Sequence, residues 1–188
     1  MHRERTLARR RPAMSPPHFA PRLLLGLLVS ASLACGHASA GPPPPSAASA
    51  LLGEPVPAFR RPSVQGATFD TGAAAGRVLV VDFFAAYCPP CQRALPAVER
   101  LARERRDVVF VGVSLDGDAD LARRQVARHR LTFPVVHDPG NTLAGRFRVT
   151  ELPATFIVDG TGRVAWASGA AQSEDELARA VDAVHARL

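Results

Sequence analysis

Runs of apolar residues alternate with amphipathic stretches through most of the chain. Two runs, Val78–Phe84 and Val108–Leu115, are almost wholly apolar, which is typical of strands buried on both faces of a sheet. Apolar residues at helical spacing follow each run and predict helices over residues 92–106 and Ala119–Arg130, the second with the acids of Asp116–Asp120 at its start. This alternation predicts a sheet with parallel strands at its centre.

Shorter apolar segments predict further strands on either side of this unit. Val56–Phe59 and Ala67–Phe69 flank a Gln65-Gly66 turn and predict a small N-terminal hairpin. The remaining predicted elements are strands at Phe133–Val136, Ala154–Val158 and Val164–Ala167, a brief helix ending near Phe147, and a last helix that begins with the capping box Ser173–Glu176. Together they predict one α/β domain, with a mixed central sheet, helices on both faces and an N-terminal β-hairpin extension.

The first 40 residues have the composition of a targeting segment. An arginine-rich start precedes the apolar run Leu23–Val29 and then small residues, which is the order found in signal peptides. The run is shorter than the roughly 20 apolar residues that a membrane-spanning helix needs, although a retained signal anchor is an alternative. A start at Met14 instead of Met1 also leaves a basic region before the run. The segment predicts export to the periplasmic side of the membrane, where cysteines meet oxidising conditions.

Two processing sites fit this targeting segment. Ser32–Gly36 resembles a bacterial lipobox, with a serine in place of the usual aliphatic residue, and predicts cleavage before a lipid-modified Cys35. Ala38-Ser39-Ala40 instead predicts ordinary signal-peptide cleavage after Ala40. The lipoprotein interpretation is favoured because an isolated cysteine just after an apolar run has few other uses. On either interpretation Cys35 takes no part in redox chemistry.

Residues 41–54 are predicted to be a linker, and residues 55–188 the folded domain. The prolines of Pro42–Pro45 favour an extended spacer. The chain has a formal charge of +6, but six arginines and one acid precede residue 41, which leaves 17 basic and 16 acidic side chains in the rest. A domain so close to neutral has no basic surface of the kind that nucleic-acid binding requires.

Cys88 and Cys91 are the two cysteines of the predicted domain, and they stand where the strand Val78–Phe84 passes into a helix. The free amides and the positive dipole end of a helix N-terminus favour a thiolate, which is the reactive form of cysteine. A structural zinc site needs a second close pair of ligands, whereas the histidines of the domain are scattered. A single Cys-x-x-Cys pair in this setting therefore predicts a redox dithiol that works without a metal or other cofactor.

The segment around this pair, Val81–Pro96, resembles the active-site segment of the thioredoxin superfamily. It is most similar to the TlpA/ResA-like extracytoplasmic thiol:disulfide oxidoreductases, which typically have an aromatic-Ala-x-Trp-Cys-Pro-Pro-Cys run followed by a later proline. Phe110–Asp116, Leu131–Val135 and Leu152–Val164 resemble further segments of these proteins, so the similarity extends from about Pro55 to Leu188. The resemblance implies a thioredoxin-like fold of the redoxin (AhpC/TSA-like) type.

The resemblance also implies roles for individual residues. Cys88 is expected to attack a partner disulfide, and Cys91 to resolve the mixed disulfide that results. Asp82 matches a buried acid beneath the pair, where burial raises a carboxyl pKa and lets the group take the proton of Cys91. Pro153 matches a cis-proline that lies against the dithiol and presents backbone to the partner.

Three residues depart from the pattern of these relatives. Tyr87, which is expected to shape the active site together with Pro89 and Pro90, replaces the usual tryptophan and keeps an aromatic shield. Ala94 stands where some reductive members carry a glutamate, so a charge that tunes the site is missing. Glu151 stands before the proline of the partner groove, where glycine is frequent, and predicts a more acidic groove.

The predicted function is disulfide exchange with partner proteins through the Cys88–Cys91 dithiol, in the reducing direction. Maturation of c-type cytochromes is one task that the resemblance allows. The expected partners are protein disulfide substrates and an upstream dithiol donor such as a membrane reductase. The protein is expected to be a monomer, held at the membrane by an N-terminal lipid or signal anchor, without nucleic acid.

Two other functions stay open as alternatives. A copper-binding chaperone would use both cysteines and a histidine such as His137, although related copper-delivery proteins separate their cysteines by three residues rather than two. A thiol peroxidase would resemble the pattern Pro-x-x-x-Thr-x-x-Cys, whereas Ala85 stands three residues before Cys88.

Overall fold

The structure, a computed structural model, describes residues 42, 45 and 48–188. The predicted signal segment, including Cys35 and the cleavage site after Ala40, lies outside the described residues. The described elements are β1 (Arg60–Pro62), β2 (Thr68–Asp70), a 3-10 turn (Thr71–Ala74), β3 (Leu79–Phe84), α1 (Pro89–Glu104), β4 (Val109–Ser114), α2 (Ala119–His129), β5 (Val135–His137), α3 (Thr142–Arg146), β6 (Ala154–Val158), β7 (Val164–Ser168) and α4 (Glu174–His185). Within this part of the chain, no helix is long and apolar enough to cross a membrane.

Five strands form one mixed sheet in the order β5-β4-β3-β6-β7. β3, β4 and β5 are parallel, whereas β6 runs antiparallel to β3 and β7 antiparallel to β6. The central strand β3 is buried at all six positions, as its apolar sequence predicts. β1 and β2 pair as a separate antiparallel hairpin. The predicted mixed α/β fold with an N-terminal hairpin is confirmed.

Side chains of β3 alternate between two cores, one on each face of the sheet. Val80 and Phe84 pack with residues of α1, α2 and α4, and both cysteines belong to this cluster. Leu79 and Phe83 pack on the other face, with the hairpin and with Phe147 at the end of α3. Helices therefore cover both faces, and the dithiol belongs to the face of α1 and α4.

The hairpin starts later than the sequence predicts. Val56–Phe59 is not its first strand; that strand is Arg60–Pro62. The N–H of Val56 instead donates to the carbonyl of Gly162, just before β7, at 2.9 Å. Phe59 is buried, and its N–H donates to Thr71 Oγ1 at 3.0 Å. These are contacts between distant parts of the chain, which a local pattern does not reveal; the other element boundaries differ only slightly from those predicted.

Candidate active site

Cys88 and Cys91 lie at the N-terminus of α1 and form a disulfide, with 5.3 Å between their Cα atoms. Cys88 is the N-cap residue, and the N–H of Cys91 donates to the Cys88 sulfur at 3.1 Å. This N–H belongs to the first turn of the helix, where amides have no partner within the helix. It is therefore placed to stabilise a thiolate on Cys88 once the disulfide is reduced.

The disulfide is well covered, and its more accessible end is Cys88. Cys88 is 6% exposed and Cys91 1%. Tyr87, at 70% exposure, extends into solvent beside the disulfide. Pro89 is also exposed, and its missing N–H costs nothing at the first position of a helix. Tyr87 and Pro89 are thus the exposed side chains next to Cys88.

Asp82 is buried within β3, on the face of the sheet that carries the dithiol. It pairs with Gly112 of β4 and Thr155 of β6, and strand alternation places its side chain on the face of Val80 and Phe84. Burial raises the pKa of Asp82 to about 7, although the Thr155 hydroxyl, which donates to Oδ1 at 2.8 Å, acts to lower it. A carboxyl group that is partly ionised near neutral pH can take up and return a proton.

Pro153 lines a cavity beside the active-site turn, and the peptide bond that precedes it is cis. The cavity has a volume of about 210 Å³ and is also lined by Pro90 and by Ala94 of α1. Arg93 and Glu174 contribute one basic and one acidic side chain to the same lining. Glu151 instead lines a neighbouring cavity of about 260 Å³.

Asp116 contacts the active-site turn, although the sequence suggests only that it begins the next helix. The N-cap of α2 is Asp118, whereas Asp116 is fully buried after β4. Its Oδ1 accepts from the N–H of Ala86 at 2.9 Å, and its Oδ2 from the hydroxyl of Ser114 at 2.8 Å. The sequence could have suggested this contact in one way. Asp116 follows β4 and Ala86 follows β3, and the carboxyl ends of parallel strands lie at the same edge of a sheet.

Gln92 and His129 are two further residues near the turn that sequence reasoning missed. Gln92 Nε2 donates to the carbonyl of Ala85 at 3.1 Å, and Gln92 Oε1 lies 2.9 Å from His129 Nε2. The one local indication that Gln92 lies near the site is that it directly follows Cys91 in the sequence. His129 closes α2 and is brought to this place only by the packing of α2 against α1.

The histidine considered as a copper ligand is engaged elsewhere. His137 Nε2 lies 2.7 Å from the carbonyl oxygen of Asp116, so it donates its proton there. It ends β5, two strands away from β3, which corresponds to about 10 Å across the sheet. Among the described residues, no group of three or more histidine, cysteine or acidic side chains is arranged to hold a metal. The copper alternative gains no geometric support.

The sequence of the chain is similar to the sequences of known redox proteins. A sequence model described as the AhpC/TSA family matches residues 52–167. The chain is 27% identical over 117 residues to thiol-disulfide oxidoreductase ResA of Halalkalibacterium halodurans, which covers 61% of this chain and 66% of that protein, just under two thirds of its length. It is 29% identical over 128 residues to soluble secreted antigen MPT53 of Mycobacterium bovis, covering 67% of this chain and 74% of that protein.

A solved structure resembles the described domain as well. A secreted Mycobacterium tuberculosis disulfide oxidoreductase, homologous to E. coli DsbE, is 27% identical and superposes with a TM-score of 0.62. The match covers 66% of this chain and 95% of that one. Nearly the whole of that protein therefore has a counterpart in the present chain.

Proposed function

The chain belongs to the AhpC/TSA family, and on that premise we propose that it is an exported thiol:disulfide oxidoreductase that works through Cys88 and Cys91. The observation that carries the proposal is the disulfide between these two residues at a helix N-terminus, on the same face of the sheet as the buried Asp82. Relatives named as thiol-disulfide oxidoreductase and disulfide oxidoreductase support the same reaction.

The proposed cycle begins with the reduced enzyme. The Cys88 thiolate attacks one sulfur of a partner disulfide; a Cys88–partner bond forms, the partner's own S–S bond breaks, and one partner thiolate leaves. Cys91 then gives its proton to Asp82 and attacks the Cys88 sulfur, which releases the second partner thiolate. The partner has gained two electrons and takes up two protons, while the enzyme has lost two electrons and carries the Cys88–Cys91 disulfide.

We propose that the cycle runs in the reducing direction. A base with a pKa near 7 supports this direction, because deprotonation of Cys91 speeds release of the reduced partner. An upstream dithiol donor, such as a membrane reductase, must then reduce the enzyme after each cycle. Keeping the haem-attachment cysteines of c-type cytochromes reduced is one task that fits, and a reduction potential close to that of strong oxidants would contradict the direction.

The proposed location is the periplasmic side of the membrane, with the domain acting as a monomer on its linker. The secreted relatives support export. We expect the first 40 residues to direct it and a lipid on Cys35 to anchor the product. A Cys35→Ser variant should move from the membrane fraction to the soluble fraction and lose the mass of the lipid; unchanged fractionation would favour cleavage after Ala40 or a retained anchor.

Trapping the mixed disulfide tests the proposed reaction. A Cys91→Ser variant cannot resolve the intermediate and should accumulate partner proteins bound through Cys88, visible as bands that a reductant removes. The matched control is Cys88→Ser, in which the remaining cysteine lies 1% exposed and should trap little. Equal trapping by both variants, or none by Cys91→Ser, would overturn the assigned roles. Peroxide consumption by the wild-type protein with a supplied thiol would favour the peroxidase alternative instead.

A further inference from the structure

The peptide group between Ala85 and Ala86 is held from both sides by side chains of other elements. This group lies between the end of β3 and Cys88. Its carbonyl accepts from the side chain of Gln92 at 3.1 Å and from the N–H of Cys88 at 3.2 Å. Its N–H donates to Asp116 Oδ1 at 2.9 Å. Both polar ends of one peptide plane are therefore occupied.

On the carbonyl side, the contact chain ends at a histidine of α2. Because the carbonyl of Ala85 can only accept, the end of the Gln92 amide that faces it must be the NH₂ group. The amide oxygen then faces His129, so the Nε2 of His129 must carry a proton and donate it. Burial, with a smaller contribution from Arg128, lowers the pKa of His129, which favours a neutral ring with that single proton. The orientation of Gln92 is thus fixed by its partner.

On the N–H side, the chain also ends at a histidine. Asp116 is fully buried, and Ser114 donates its hydroxyl to the second carboxylate oxygen of Asp116 at 2.8 Å. The backbone carbonyl of Asp116 accepts from His137 Nε2 at 2.7 Å. The side chain and the main chain of Asp116 are therefore both held, so the carboxylate cannot follow Ala86 if the turn moves.

We propose that Gln92 and Asp116, supported by His129 and His137, form a clamp on the Ala85–Ala86 peptide that positions Cys88 for thiol–disulfide exchange. The inference rests on the proposed function of the dithiol. These four are positioning residues: Gln92 and Asp116 hold the peptide that precedes the cysteine pair, the two histidines hold Gln92 and Asp116, and the hydrogen bond to the Cys88 sulfur comes instead from the N–H of Cys91.

The clamp acts by fixing the backbone of Cys88 before the reaction. The first-turn amide of Cys91 donates to the Cys88 sulfur, and this geometry stabilises the thiolate only while the turn keeps its orientation. Releasing the Ala85 carbonyl lets the turn rotate, and the thiolate of the reduced enzyme then loses part of this stabilisation. The clamp is therefore expected to raise the reduction potential of the dithiol and to increase the thiolate fraction of Cys88.

The test compares the dithiol–disulfide equilibrium with glutathione in single and paired variants of the full chain. Gln92→Leu and His129→Leu should each shift the equilibrium toward the enzyme disulfide, by roughly tenfold, because the lost bonds support a charge-stabilising arrangement. The double variant should shift no further than Gln92→Leu alone, since both act through one amide. His129→Gln, which can still donate to Gln92, should restore most of the wild-type equilibrium. Arg123→Gln, on the exposed face of α2, is the matched control.

The rate of Cys88 alkylation by iodoacetamide gives a second readout, and it should fall in parallel with the equilibrium shift. Asp116→Asn keeps an acceptor for the N–H of Ala86, so its glutathione equilibrium and alkylation rate should stay close to those of the wild type. Asp116→Ala, if it folds, should change both in the same direction as Gln92→Leu. Should the wild-type dithiol fail to exchange with glutathione, the proposed function itself is wrong. If the wild type exchanges and Gln92→Leu has the same equilibrium and alkylation rate, the clamp is refuted, even where the thermal stability of the variant has changed.

Discussion

Two buried aspartates, in different regions of the sheet, have opposite surroundings. Asp138 lies beyond β5 with both carboxylate oxygens bonded: Oδ1 accepts from Arg61 at 2.9 Å, and Oδ2 from the N–H groups of Leu143 and Ala144 at 2.8 and 3.0 Å. Asp82, on the dithiol face of β3, accepts a hydrogen bond from the hydroxyl of Thr155, and no cation in the described part of the chain pairs with it. Its pKa is raised to about 7 by burial.

We interpret this difference as one between a structural carboxylate, Asp138, and a carboxyl group that exchanges a proton in the proposed cycle, Asp82. Around Asp138, a guanidinium and two helix amides compensate the negative charge, so the group ties α3 and the hairpin to the sheet. Around Asp82, little compensates the charge, and the ionised form is therefore costly. A protein tolerates such a cost where the proton itself is used, and Asp82 shares its face of the sheet with the dithiol.

The largest expected effect is on the pH dependence of stability, in an Asp82→Asn variant. The folded state holds a proton on Asp82 up to about pH 7, whereas the unfolded state releases it near its ordinary pKa of 3.8. Stability from this group is therefore present at low pH and lost as pH rises from about 4 through 7, in total about 4 kcal/mol. Because asparagine mimics the protonated acid, the variant should lack this loss.

Urea unfolding of both oxidised proteins between pH 4 and 8 measures the difference. The variant and the wild type should be similarly stable near pH 4, the advantage of the variant should grow from there to about pH 7, and it should level off above pH 7. Equal slopes across this range would mean that Asp82 ionises as readily in the folded as in the unfolded protein, and the contrast with Asp138 would disappear.

Asp138→Ala should have the next largest effect, and with opposite sign. Removing the carboxylate leaves two helix amides without their acceptor and takes the counter-charge from Arg61, which is 28% exposed and keeps the carbonyl of His137 as an acceptor at 3.2 Å. A loss of about 3 kcal/mol in the free energy of unfolding is expected, at the lower end for a broken buried pair because Arg61 regains some water.

Asp120→Ala is the matched control for this substitution. Asp120 pairs with Arg123 on the exposed face of α2, so its removal should cost less than about 1 kcal/mol. A cost at Asp138 no larger than at Asp120 would contradict the assignment of Asp138 as a structural group.

The sequence could identify one of these two regions but not the other. Cys88, Cys91, Asp82 and Pro153 could be named because they belong to short segments that resemble those of a known family. The apolar run of β3 predicts that Asp82 is buried just before the cysteine pair, whereas the place of Pro153 came from the resemblance alone. The sequence Asp-Pro-Gly-Asn at residues 138–141 indicates only a turn, because the contact of Asp138 with Arg61 joins residues 77 positions apart. The same reason hid the contact of Asp116 with Ala86, which depends on the register of β3 against β4. Local patterns predict elements; the partners of buried polar groups depend on how the elements assemble.

The third effect concerns the reaction and separates the two steps of the proposed cycle. In Asp82→Asn, the attack of Cys88 on a model disulfide should proceed at the wild-type rate, because Asp82 acts on Cys91. Resolution by Cys91 should slow by about a hundredfold at pH 7, as expected for loss of a positioned base. Rapid-quench analysis, with the mixed disulfide trapped by acid, should find that intermediate accumulating. Slowing of both steps alike would assign Asp82 to the environment of Cys88 rather than to Cys91.

The smallest effect is expected from Thr155→Val. This substitution removes the side-chain hydrogen bond to Asp82, whereas Asp138 keeps all of its donors, so the difference between the two aspartates increases. The Thr155 hydroxyl donates to Asp82 Oδ1 at 2.8 Å and acts to lower the carboxyl pKa, so its removal should raise the pKa of Asp82 further. A hydrogen bond to an ionised group contributes about 1.5 kcal/mol, which corresponds to a shift of about one pH unit. The fall in stability with pH should therefore end about one pH unit higher than in the wild type, and the pH at which resolution reaches half its maximal rate should rise with it.

Valine is the matched substitution because it has nearly the same shape as threonine. Packing is therefore preserved, and any change in these two pH values reports the loss of the hydrogen bond. The pH at which the fall in stability ends and the pH of half-maximal resolution should move by the same amount. If they move by different amounts, the carboxyl group that controls stability is not the one that accepts the proton of Cys91, and the role of Asp82 as base would have to be abandoned.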